Sequence, residues 1–274
     1  MSYHSIHVDC GCLLRVILSI TGSGWYIALD IPGIQIMKIG ILETGLLNER
    51  LVGKYDPYPV MFASLLNRAK RDLQYQTFSV IQGEMPASIH DCEGWLITGS
   101  RFGVYENLSW MVVLQDFIRA LNHASVPLVG ICFGHQIIAQ ALGGEVVKSD
   151  RGWAVGLHSY KIDAVQKWMD GDPEQVGIYA FHQDQVVDKP PAAEPFFRSE
   201  FCPYAGLSYG DSIITIQAHP EFGEEYETAL LEMYSGNIVP EAVATKALAD
   251  MQATGRKADT QVLADWIATF FIRL

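Results

Sequence analysis

The sequence predicts an α/β protein of three layers, a mostly parallel sheet with helices on both faces, followed by a C-terminal helical tail. Three observations carry that prediction. From Met37 onward, short apolar runs alternate with amphipathic helical stretches, the order that lays parallel strands side by side beneath covering helices. One cysteine, Cys132, is flanked by Gly130 and Gly134 and stands between such a run and the helix that follows it. The 274 residues are 49% hydrophobic, enough to bury one large core but not to add a second full catalytic domain.

Taken in order, Met37 to Leu42 reads as a complete first strand that opens on a methionine, which sets residues 1–36 apart as a dispensable N-terminal extension outside the fold. Within that extension, Leu13 to Ile20 is too short to span a bilayer, contains Arg15, and lacks the basic start and cleavage site of a signal peptide. His4, His7, Cys10 and Cys12 have ligand chemistry but match no zinc spacing, so no metal is expected. Thr44 to Lys54 reads as a loop, Tyr58 to Arg71 as a helix, and Thr77 to Ile81 and Gly94 to Thr98 as strands. Leu108 to His123 has apolar residues at 110, 113, 114, 117, 118 and 121, a helical face of 3.6-residue period. Val126 to Ile131 is a buried strand, and Gln136 to Leu142 a helix stopped by Gly143 and Gly144. Residues 146–209 read as several β segments with a loop through 170–175, and Ile213 to Ala218 as a final strand. The tail, 224–274, divides into helices at Glu225 to Tyr234, Pro240 to Ala253 and Thr260 to Ile272. Its Trp266, Ile267, Phe270 and Phe271 form a stripe expected to dock on the same domain, so that 37–274 is one unit.

Composition narrows the partners. The 31 acidic and 19 basic residues give a formal charge of −12, which argues against a nucleic-acid or anionic-membrane surface. The five cysteines, at 10, 12, 92, 132 and 202, do not form a disulfide framework and suit a reducing cytoplasm.

The Gly-x-Cys-x-Gly pattern is that of a sharp strand-to-helix elbow, which lifts a nucleophile out of a sheet. A cysteine there faces unpaired N–H groups and the positive end of the helix dipole, both of which favour thiolate. A thiol nucleophile needs a base, and the base needs a group to orient it. His219 and Glu221 follow a strand-like run and, at i, i+2 in extended backbone, point the same way. Any tetrahedral intermediate at Cys132 would present its oxyanion to the N–H of Phe133, the residue after the nucleophile.

Gly130-Ile131-Cys132-Phe133-Gly134-His135-Gln136 together with Ala218-His219-Pro220-Glu221-Phe222 resembles the class I glutamine amidotransferase family, over a stretch running from about Met37 to about Phe222. Leu96-Ile97-Thr98-Gly99-Ser100 resembles its oxyanion strand end, and His182-Gln183-Asp184-Gln185-Val186 its His-x-Asp-x-Val substrate segment. The resemblance implies Cys132 as nucleophile, His219 as base and Glu221 as orienting acid, with the Gly99 N–H as second oxyanion donor. It also implies that Gln136 and backbone groups of Gln183 and Asp184 bind the glutamyl moiety, with no cofactor. Many relatives carry glycine where Gln183 stands. His135, His158 and His182 acquire no role. The Thr-Gly-Ser form and the helical tail look most like the stand-alone branch that includes γ-glutamyl peptidases.

The implied chemistry is cleavage of the γ-carboxamide of glutamine, or of a γ-glutamyl amide or peptide, through a γ-glutamyl thioester. The chain has no pyrophosphate loop and no Gly-x-x-x-x-Gly-Lys that would accept the ammonia. Three classes stay open: a stand-alone hydrolase, which the reading favours; a glutaminase subunit channelling ammonia to a separate synthetase; and a non-catalytic regulatory or binding subunit.

Overall fold

The computed structural model describes residues 36–171 and 173–273, together with the backbone of 4–7, 15–21 and 24–30. Those three N-terminal segments are strands β1 (His4–His7), β2 (Arg15–Thr21) and β3 (Gly24–Asp30), paired antiparallel in that order as a sheet of their own. The side chains of His4, His7, Cys10 and Cys12 lie outside the described residues.

The main sheet is built on strands β4 (Met37–Leu42), β5 (Leu73–Phe78), β6 (Gly94–Ile97), β7 (Leu128–Ile131) and β14 (Ile213–Ile216), which lie in the order β14-β7-β6-β4-β5 and are all parallel. Beyond β14 the sheet continues through β13 (Gly206–Tyr209), β12 (Ala193–Arg198), β9 (Ala154–Ile162) and β10 (Gln175–His182), each antiparallel to its neighbour. A small antiparallel pair, β8 (Glu145–Lys148) with β11 (Asp184–Asp188), stands apart. The helices are α1 (Tyr58–Asn67), α2 (Ser109–Ala124), α3 (Phe133–Ala141), α4 (Glu224–Tyr234), α5 (Glu241–Thr254) and α6 (Thr260–Ile272).

The parallel strands are apolar throughout because both their faces are covered. Along β6, Leu96 joins a core with α1 and α6, whereas Trp95 and Ile97 join a second core with α2 and α3. Burial of these alternating side chains, at roughly 25 cal/mol per Å² of apolar surface, is what holds each helix to its face. The terminal stripe Trp266, Ile267, Phe270 and Phe271 is fully buried in the first core, so α6 closes one face of the sheet. A third apolar cluster seats α4 and α5 against Val155 of β9 and Tyr179 of β10.

Three elements differ from the sequence reading. The strand expected at Thr77 to Ile81 lies at Leu73–Phe78, followed by a 3-10 turn at Val80–Gln82. It is the edge strand, partly exposed, and its Gln74 and Gln76 mask an apolar signal. Helix α1 stops at Asn67, before a left-handed turn at Lys70 with φ 52°. Helix α3 begins at Phe133, three residues earlier than expected, because the elbow turns the chain within Cys132 itself. No helix among the described residues is long and apolar enough to cross a membrane.

Candidate active site

Two neighbouring parallel strands, β7 and β14, end side by side and deliver Cys132 and His219. The Cys132 N–H donates to the Ile216 carbonyl at 2.8 Å, which ties the elbow to the adjacent strand. Cys132 adopts φ 53°, ψ −102°, a conformation that costs a non-glycine residue about 1–3 kcal/mol. The flanking glycines make that turn possible. A Cβ on Gly134 would lie 2.4 Å from the Ile97 carbonyl oxygen, and one on Gly130 would lie 2.6 Å from the Gly134 oxygen. Strand and helix therefore approach more closely than any side chain permits. Cys132 is only 6% exposed, with Gln217 and Gly99 against it.

His219 is held from three directions. Its N–H donates to the Tyr179 carbonyl of β10 at 2.8 Å, its ring lies 4.0 Å from that of Phe222 at an interplanar angle of 6°, and its Nδ1 is 2.8 Å from Glu221 Oε1. With Nδ1 taken by Glu221, Nε2 is the ring nitrogen left to act toward Cys132, whose charge is felt at the imidazole. Burial disfavours the charged imidazole. The charges of Cys132 and Glu221 and the hydrogen bonds to both outweigh that penalty and raise His219 well above the usual imidazole range. Cys132 is thus brought from a distant part of the chain beside the His219–Glu221 pair.

Gly99 lies at the end of β6, against both partners: a Cβ there would fall 2.9 Å from His219 Cε1 and 3.8 Å from Cys132 Cβ. The Thr44 hydroxyl donates to the Thr98 carbonyl at 2.9 Å, and the Thr44 N–H donates to Thr98 Oγ1 at 3.0 Å. Because a peptide is planar with its C=O and N–H opposed, fixing the Thr98 carbonyl also fixes the Gly99 N–H on the other side. Phe133 is the first residue of α3, where an N–H has no intrahelical acceptor. Among the described residues, no carbonyl accepts either N–H from outside the regular elements.

The expected glutamyl-binding residues are brought to the same end of the sheet, but they are tied down. Gln136 is buried and its Nε2 donates to the Asp184 carbonyl at 2.9 Å and to Gln217 Oε1 at 3.2 Å. The Asp184 carbonyl also lies 3.1 Å from His182 Nδ1, so both its lone-pair directions are taken. The Gln183 carbonyl accepts the Ser149 N–H at 3.3 Å. The Asp184 carboxyl is half-buried, and its burial raises it, with Tyr105 and Lys148 nearby partly countering that rise.

His135 and His182 are buried, and desolvation lowers each to about 3, so both are neutral. His158 is lowered for the same reason. Sequence reasoning passed over four contributors: Thr44, Tyr179, Phe222 as the ring against His219, and Gln217, whose Nε2 is 3.7 Å from Cys132 Sγ. Only Gln217 left a readable trace, as a polar residue inside an otherwise apolar strand end.

Comparison with known proteins bears on the fold and the family. The solved structure of a glutamine amidotransferase from Thermotoga maritima superposes with a TM-score of 0.65, covering 87% of this chain and 99% of that one at 18% identity, a likeness of fold. γ-Glutamyl peptidase 3 of Arabidopsis thaliana is 32% identical over 160 residues, 56% of this chain and 64% of the peptidase, so the match spans just under two thirds of that relative. A glutamine-hydrolysing GMP synthase subunit of Archaeoglobus fulgidus is 27% identical over 62% of this chain and 91% of its own length. The family model for class-I glutamine amidotransferases matches residues 76–233, more than half of the sequence, including the ends of β6, β7 and β14. The chain belongs to the class-I glutamine amidotransferase family.

Proposed function

We propose that the protein is a cysteine hydrolase that cleaves the γ-carboxamide of glutamine or of a γ-glutamyl amide or peptide. The observation that carries this reading is the placement of Cys132 beside the His219–Glu221 pair at neighbouring strand ends, with Nδ1 and Oε1 at 2.8 Å. Cys132 thiolate attacks the γ-carbonyl carbon, and the oxyanion forms between the N–H groups of Phe133 and Gly99, which are oriented before charge develops. His219 gives its proton to the leaving nitrogen as the C–N bond breaks, leaving a γ-glutamyl thioester. Water then loses a proton to His219 and bonds to the acyl carbon. The C–S bond breaks with its electron pair returning to sulfur, and the γ-carboxylic acid leaves, losing its remaining proton to solvent. Glu221 holds the ring and balances its charge without moving a proton. The Asp184 carboxyl is the group best placed to meet the α-ammonium of the glutamyl portion.

The test is an assay of the full chain against glutamine and a panel of γ-glutamyl amides and dipeptides, beside Cys132→Ala. Turnover of the panel that falls to background in the variant, with unchanged melting, is the expected result. No turnover by the isolated chain, but strong activation on adding a synthetase, would favour the glutaminase-subunit reading that the likeness to the GMP synthase subunit supports. Absence of covalent adduct formation at Cys132 with a glutamine-mimicking electrophile in both settings would sink the proposal.

A further inference from the structure

Gln217 is fully buried, one residue beyond β14, and its side chain ends against the sulfur of Cys132. An amide can be turned either way round, so its orientation has to be argued from its partners. The direction here is fixed from the far end of a short chain. A backbone carbonyl only accepts, so Gln136 must present its NH₂ to Asp184 O, 2.9 Å away. The second hydrogen of that NH₂ meets Gln217 at 3.2 Å, and Gln217 must answer with its oxygen. Its own NH₂ is then the group left facing Sγ at 3.7 Å, an ordinary length for a donor to sulfur. The backbone N–H of Gln217 donates to the Ala205 carbonyl at 2.8 Å, so the main chain beneath the amide is held as well.

We infer that Gln217 is a further catalytic residue of the Cys132 reaction, its carboxamide NH₂ serving as a fixed hydrogen-bond donor to the thiolate. The assignment rests on Cys132 being the reacting thiol. A donor aimed at sulfur favours the anion before attack and again when the thioester C–S bond breaks and the electron pair returns to sulfur. His219 hands its proton to the leaving nitrogen and takes another from water between those two moments, whereas the Gln217 NH₂ faces the sulfur throughout. Gln136 acts through Gln217 and is a positioning residue. An amide present only to fill the core would alter melting and leave the acid–base behaviour of the sulfur unchanged.

The test is site-resolved alkylation of Cys132 by iodoacetamide as a function of pH, in the full chain and in Gln217→Met and Gln217→Glu. A hydrogen bond to a charged group corresponds to roughly one pH unit, so the alkylation midpoint should rise by about that much in Gln217→Met. It should rise further in Gln217→Glu, where a carboxylate replaces the donor. Midpoints equal to the parent's in folded variants overturn the assignment. If neither variant folds, the unmutated chain decides: with ¹⁵N-labelled glutamine, the Gln217 NH₂ resonances should shift with the same midpoint as alkylation, and their failure to move overturns the role. A chain that shows this coupling but turns over no γ-glutamyl substrate would defeat the proposed function and leave the Gln217 assignment standing.

Discussion

The strand ends of β7 and β14 meet at one point and position their residues by opposite means. At the end of β7, backbone shape does the positioning: φ 53° at Cys132, with Gly130 and Gly134 packed so closely that a Cβ at either would overlap a carbonyl oxygen. At the end of β14, side chains and borrowed carbonyls do it. His219 is held by Glu221, by the ring of Phe222 and by Tyr179 of a strand at the far edge of the sheet. A position defined by backbone shape tolerates almost no change in its neighbours. One defined by several contacts can lose them in stages.

That contrast orders three experiments. The largest effect should come from the charged contact on the β14 side: Glu221→Gln keeps the size of the side chain but loses charge and can impose the wrong tautomer. Turnover should fall by about 10²–10⁴-fold while nucleophile and base remain. A rate within threefold of the parent, measured on the best substrate of the panel, would remove Glu221 from the reacting line. Next is the β7 side, where Gly134→Ala forces a methyl against the Ile97 carbonyl at 2.4 Å. Thermal or denaturant unfolding should show a loss of about 1–3 kcal/mol, as overpacking does, and activity should fall with it because the elbow must open. An alanine variant of parental stability would mean that the close approach of strand and helix is not what shapes the elbow. The smallest effect is expected for Phe222→Leu, which removes only a ring stacked at 4.0 Å on His219. A contribution of about 0.5–1.5 kcal/mol predicts a loss of at most roughly tenfold in kcat/KM. A loss as large as that of Glu221→Gln would show the stack to be as necessary as the carboxylate, and the staged picture of this side would fail.

The same contrast explains what the sequence could tell. Glycine spacing is visible in a one-dimensional string because a tight backbone approach demands glycine itself, so Gly130, Cys132 and Gly134 were read together with the strand before them and the helix after them. Parallel strands buried on both faces are equally plain, as continuous apolar runs. Cys132, His219 and Glu221 were legible as chemistry, and the structure brings all three together. What stayed hidden depends on long-range register. The Tyr179 carbonyl reaches His219 only because the sheet continues through four antiparallel strands, and no local pattern encodes that continuation. Thr44 matters because β4 and β6 are neighbours, a pairing across 54 residues. The edge strand β5 was displaced in the reading because glutamines are tolerated where one margin meets solvent. Gln136 was expected to face the ligand, and its engagement with Asp184 and Gln217 could be found only with β11 in place.

The backbone at residue 132 has a wider meaning. Glycine is the residue that would occupy such a φ without penalty, and every side chain placed there, reactive or inert, is held against its own conformational preference. The side chain at that point is buried in the core and meets the Gln217 amide. A glycine there would relax the backbone, at the cost of a small void and of an unpartnered amide on Gln217. Whatever the side chain at 132 contributes has to exceed that backbone cost.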